Sequence, residues 1–100
     1  MRVPAVFLIL VGCADTWEPP SRFSGDYVGN LSVNTVNQKN VDVVCQMLLG
    51  VQGDYRGCAW ADAESCIVFA ADETYKGAST EAILRHEIGH CNGWPAHHPI

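Results

Sequence analysis

The spacing of hydrophobic and polar positions changes period several times along this chain, and each change marks an element. Val3 to Val11 is apolar apart from Pro4. At about ten residues it is too short for a bilayer that needs roughly twenty. Residues 13–24 show no period and contain Pro19-Pro20, the composition of a linker. From Tyr27 to Val36, Leu31, Val33 and Val36 stand among polar residues as in a half-buried strand. Asn37 or Asn40 can then cap a helix to Leu49, with Val41, Val44, Cys45 and Leu48 on its inner face and Gly50 as its stop. Tyr55 to Ala61 and Ser65 to Ala71 predict two strands joined by Ala61-Asp62-Ala63-Glu64, the second being the stronger pattern. A last helix follows, with Ser79 or Thr80 as its cap, Glu81 in its first turn, and Gly93 and Pro95 beyond its end. The order β-α-β-β-α predicts an α+β domain, two helices packed on a short, mostly antiparallel sheet.

The last helix carries the chemistry. Residues 86–90 read His86-Glu87-Ile88-Gly89-His90. Two histidines four apart lie one helical turn from each other on one face, so both imidazoles can reach a single metal ion. The adjacent glutamate is then placed to deprotonate water at the metal. Ile83, His86, Glu87 and His90 form one stripe, while Leu84, Ile88 and Cys91 form a second, apolar stripe for packing. A pair of ordinary helix histidines would need none of this context. A structural ion, with the coordination shell closed by further histidines, is the main competing reading.

The run from His86 to His98 resembles the metzincin metallopeptidases, whose pattern is H-E-x-x-H-x-x-G-x-x-H. Gly93 is in register, whereas Ala96 stands where that family places its third histidine. The resemblance covers about thirteen residues and implies a zinc site of His86, His90 and His97, with His98 as the fallback third ligand and Glu87 as general base. No glutamate follows Glu87, which excludes a downstream glutamate ligand, and no methionine follows the histidines. The same run is similar to the ends of small bacterial and phage lipoproteins, which implies a minimal zincin-like domain. In zincin-like folds an edge strand beside the metal helix pairs with extended peptide, and 67–71 is the expected shelf. Tyr75 and Tyr55 are candidate oxyanion donors, and Trp94 is expected to pack on the turn. Asp72-Glu73 reads as a solvated loop.

The start of the chain adds a location. Leu10-Val11-Gly12-Cys13 resembles the bacterial lipoprotein cleavage box, which implies a signal peptide over 1–12, lipidation at Cys13, an anchor and linker over 13–25, and a metal-binding domain over 26–100. The expected setting is membrane-anchored, facing the periplasm or cell surface. Four cysteines then remain, and an even number in a small exported domain predicts two disulfides with three possible pairings. Cys58–Cys66 across a hairpin and Cys45–Cys91 between the helices are the expected pair. In a domain this small, such bridges supplement a limited core.

Charge excludes one class of partner. The formal charge is −5, with no basic run, so a nucleic-acid partner is not expected. The expected function is an exported, monomeric zinc metallopeptidase acting on peptide or peptidoglycan amide bonds. The alternative is a non-catalytic metal-binding or structural envelope lipoprotein, including a phage or plasmid accessory protein.

Overall fold

A computed structural model of the chain describes residues 17–98. The signal peptide expected over 1–12 and the expected lipidation site Cys13 lie outside the described residues. Three strands, β1 (Asn30–Val36), β2 (Gly57–Ala61) and β3 (Ser65–Ala71), combine with two helices, α1 (Val41–Leu49) and α2 (Thr80–Cys91), in the order β1-α1-β2-β3-α2. The expected small α+β domain is therefore present, and its sheet is mixed. β3 lies in the middle, antiparallel to β2 and parallel to β1. A parallel neighbour requires a crossover, and α1 with β2 supplies it.

The ends of the elements follow local chemistry. Asn37 Oδ1 accepts from the Lys39 amide in the turn that leads into α1, and Gly50 ends α1 at φ +73°, a left-handed conformation that suits glycine. The Ser79 hydroxyl accepts from the Ala82 amide at the start of α2. In the hairpin, Asp62 Oδ1 accepts from the amides of Glu64 and Ser65 and ties the β2–β3 turn.

Strand register decides the disulfides. Cys58 stands opposite Phe69 and Ala61 stands opposite Cys66, so Cys58 and Cys66 project from opposite faces of the sheet. They cannot join, contrary to the pairing expected from the sequence. The bridges are Cys45–Cys58 and Cys66–Cys91. Each ties one helix to one face, α1 through Cys58 and α2 through Cys66. Cys45 and Cys91 thus have the sheet between them, which corrects the second expected bridge as well.

The core forms two clusters, and both helices contribute to the larger one. Val41, Cys45, Cys58, Ala70, Ala71 and Ile83 form the larger cluster; Cys66, Val68 and Cys91 form a smaller one with Leu84 and Ile88 packed against it. The second stripe of α2 therefore packs as expected. A Cβ at Gly57 would lie 2.6 Å from the Phe69 carbonyl oxygen and 2.7 Å from Ile83 Cγ2, so glycine is what lets α2 sit close on β2.

Two further expectations change. β3 has neighbours on both sides and cannot serve as a peptide shelf, so 67–71 is excluded; β2 is the edge strand beside α2. Residues 17–25, expected as a free linker, lie along α2 instead. Glu18 pairs with Arg85, and Asn92 Nδ2 donates to the carbonyls of Phe23 and Gly25. Pro19 lies so close to Gly89 that a Cβ there would stand 2.6 Å from Pro19 Cγ.

Candidate metal centre

The site is built at the end of α2. His86 and His90 project from successive turns, and their Nε2 atoms stand 3.3 Å apart. The helix closes with paired hydrogen bonds, Gly93 N–H to His90 O and Trp94 N–H to Gly89 O. Gly93 adopts φ +100° there, the left-handed turn that such a closure needs. The chain then doubles back. A second turn runs from the Pro95 carbonyl to the His98 amide, and His98 takes φ +58°. That conformation is uncommon without glycine, though histidine tolerates it better than most residues.

This second turn selects the third imidazole. His98 Nε2 lies 3.1 Å from His86 Nε2 and 3.1 Å from His90 Nε2. His97 is exposed and does not join the group. Of the two candidates for the third ligand, the fallback His98 is the one brought beside the helical pair. The extra turn after Trp94 shifts the returning side chain by one residue beyond His97.

Three histidines able to hold a metal ion therefore converge. The hydrogen-bond roles support the same reading. His86 Nδ1 donates to the Trp17 carbonyl at 2.6 Å, and His90 Nδ1 donates to the Trp94 carbonyl at 2.7 Å. A carbonyl only accepts, so each Nδ1 carries its ring's proton and each Nε2 presents a lone pair. Two lone pairs 3.3 Å apart cannot form a hydrogen bond. The spacing is compatible with a metal ion held between them, since nitrogens about 2.0–2.1 Å from a tetrahedral ion stand roughly 3.3 Å from one another. Support of ring orientation by an acceptor on the far nitrogen is the usual outer shell of a metal-binding histidine.

Burial sets the electrostatics. Desolvation holds His86 neutral, lowering its pKa to about 4 against the opposing effect of the Trp17 carbonyl. His98 is also shifted down, first by burial and then by His90 and His97. Neutral imidazoles are the form that binds a metal. Glu87 is only 5% exposed, and burial raises its pKa to about 8. A cation nearby would oppose that shift and favour the carboxylate.

Glu87 and the three histidines line one cleft of about 440 Å³, whose wall includes Tyr55 and Arg56. Of the two tyrosines considered from the sequence, Tyr55 is on this wall, with its hydroxyl donating to the Val51 carbonyl at 2.6 Å; Tyr75 is not. Trp94 is buried and stacked on His90, as the packing expectation required. Asp72 and Glu73 are exposed.

Sequence reasoning missed Trp17. Its ring stacks on His86 with centroids 3.8 Å apart and planes inclined by 14°. No local signal could have found it, because the contact spans 69 positions. Compared with known protein families, curated proteins and solved structures, the chain matches none.

Proposed function

We propose that this protein is an exported, lipid-anchored zinc hydrolase that cleaves amide bonds in peptides or peptidoglycan. The observation that carries the reading is the convergence of three Nε2 atoms, two of them on rings held by carbonyl acceptors, on the wall of a cleft that also holds Glu87. His86, His90 and His98 would hold the ion. Zinc bound there would polarise a scissile carbonyl and make water more acidic. Glu87 supplies the proton traffic: its carboxylate takes a proton from the attacking water and passes it to the leaving amine nitrogen. Its buried position suits this, because a poorly solvated carboxylate is a stronger base toward water, while an ion bound nearby would keep it ionised until that step. Tyr55 stands on the cleft wall, but its hydroxyl proton is committed to the Val51 carbonyl, so no oxyanion role is assigned to it. The two disulfides fit an oxidising compartment.

The competing reading, an envelope lipoprotein whose ion has no catalytic role, shares the same histidines. Glu87→Gln separates the two. Zinc-loaded wild type and variant are incubated with a mixed peptide library and with peptidoglycan fragments, and products are read by mass spectrometry. The hydrolase reading expects zinc-dependent cleavage by wild type and its loss, by at least about a hundredfold, in a variant that still binds zinc. Equal product from both proteins, or none from the zinc-loaded wild type, would reject it.

A further inference from the structure

Each helix histidine is held by a tryptophan in the same two ways. Trp94 offers its carbonyl to His90 Nδ1 and stacks its ring on that imidazole at 5.1 Å and 16°. Trp17 does the same for His86, more closely. The two partners differ in origin. Trp94 lies four residues from its histidine and is fixed by the helix closure, whereas Trp17 comes from the other end of the described chain. His86 therefore has its orientation set by a segment that must dock from outside α2.

That docking is continuous along the helix. Trp17 meets His86, Glu18 meets Arg85, Pro19 meets Gly89, and Phe23 and Gly25 accept from Asn92. Beyond His86, Trp17 packs against the larger core cluster, and the Arg56 guanidinium lies 4.8 Å from its ring centre, held by its own Nε–H to the Lys76 carbonyl. The indole's own polar group is not what fixes it. Trp17 Nε1 is buried and has no hydrogen-bond partner among the described residues. The ring is placed by its face and the residue by its carbonyl, both directed at His86.

We propose that Trp17 is a positioning residue of the metal site and that residues 17–25 form a clasp whose docking is thermodynamically coupled to ion binding. The coupling has a simple origin. The undocked clasp leaves the His86 ring free to rotate and its Nδ1 without an acceptor, so Nε2 is no longer fixed as the lone-pair nitrogen. An ion that needs His86 in its docked orientation then favours the docked clasp, and the clasp favours the ion by the same factor. This rests on the metal-binding half of the function proposed above and not on hydrolysis.

The test uses the full chain with both disulfides formed. Zinc affinity is measured by competition with a chromophoric chelator for wild type, Trp17→Ala and Trp17→Phe, and the visible absorption of the cobalt-loaded proteins is recorded. Trp17→Ala is expected to weaken zinc binding by about 10–100-fold, the range for loss of an outer-shell partner, and to change the cobalt spectrum. Trp17→Phe keeps an aromatic face and the backbone carbonyl while giving up part of the ring and the unpartnered N–H, so its affinity should stay within about threefold of wild type and its cobalt spectrum close to wild type. In the reverse direction, zinc should slow tryptic cleavage after Arg22 in wild type and slow it less in Trp17→Ala. Wild-type affinity and spectrum in Trp17→Ala, or equal losses in the alanine and phenylalanine variants, would overturn the clasp. Zinc binding without any hydrolysis would leave the clasp standing while the hydrolase reading fails; absence of zinc binding by wild type would reject both.

Discussion

At the scale of single residues, the third imidazole is the sharpest case. His97 and His98 are adjacent and chemically identical, and only the turn from Pro95 to His98 distinguishes them. His98→Ala should therefore lower zinc affinity beyond the roughly 10–100-fold expected for an outer-shell loss, while His97→Ala should leave it nearly unchanged. Calorimetric titration of both variants checks this. Glu87 gives a second prediction, for the metal-free protein. Its folded pKa of about 8 lies above its ordinary value of 4.5, so the folded state holds this proton more tightly than the unfolded chain. The stabilisation is complete below about pH 4.5 and lost as pH rises through 8. His86 acts the other way: with a folded pKa of about 4 against 6.5, it contributes stability above 6.5 that is lost as pH falls toward 4. The two oppose each other at mildly acidic pH and leave Glu87 alone between about 6.5 and 8. Denaturant melts of the metal-free protein should show stability falling across that upper window, with the slope much reduced in Glu87→Gln.

At the scale of elements, the sequence pattern and the structure agree where local chemistry decides and part where pairing decides. β3 spans Ser65–Ala71 as its apolar run predicts, and α1 ends at Leu49 before Gly50. β1 begins at Asn30 and not at Tyr27, because Gly29 turns the chain at φ +141° before the ladder starts. The motif from His86 to His90 was legible because four-residue spacing on a helix fixes which side chains share a face. The disulfides were not. Whether Cys58 and Cys66 face each other depends on strand register, and a hairpin read from sequence leaves that open. Strand order is equally non-local: nothing in Asn30–Val36 announces that it pairs parallel to β3 and leaves β2 at the edge. Gly57 is where two elements depend on one missing methyl group. Gly57→Ala must move either the Phe69 carbonyl or Ile83, and such overpacking should cost about 1–3 kcal/mol in chemical denaturation.

At the scale of the whole molecule, each disulfide ties one helix to the sheet, and only Cys66–Cys91 joins the helix that carries His86 and His90. The bridges should therefore separate in their effects. Replacing Cys66 and Cys91 by serine opens a link of 25 residues' separation and should cost about 3–4 kcal/mol in the chain-entropy model. Cys91 follows His90 directly, so zinc affinity should fall as well. Replacing Cys45 and Cys58, separated by 13 residues, should cost about 3 kcal/mol and lower zinc affinity less, because Cys58 is on the cleft wall but neither cysteine adjoins a histidine of the site. Melts paired with zinc titrations of the two double variants check the contrast. The docking of Trp17 against His86 has one more consequence for the molecule in its setting. Trp17 is four positions from Cys13, and a fully stretched chain advances about 3.3–3.6 Å per residue. With a lipid on Cys13, that leash is about 14 Å at most, so the cleft would work against the bilayer surface, on bonds presented beside the headgroups and out of reach of anything held farther away.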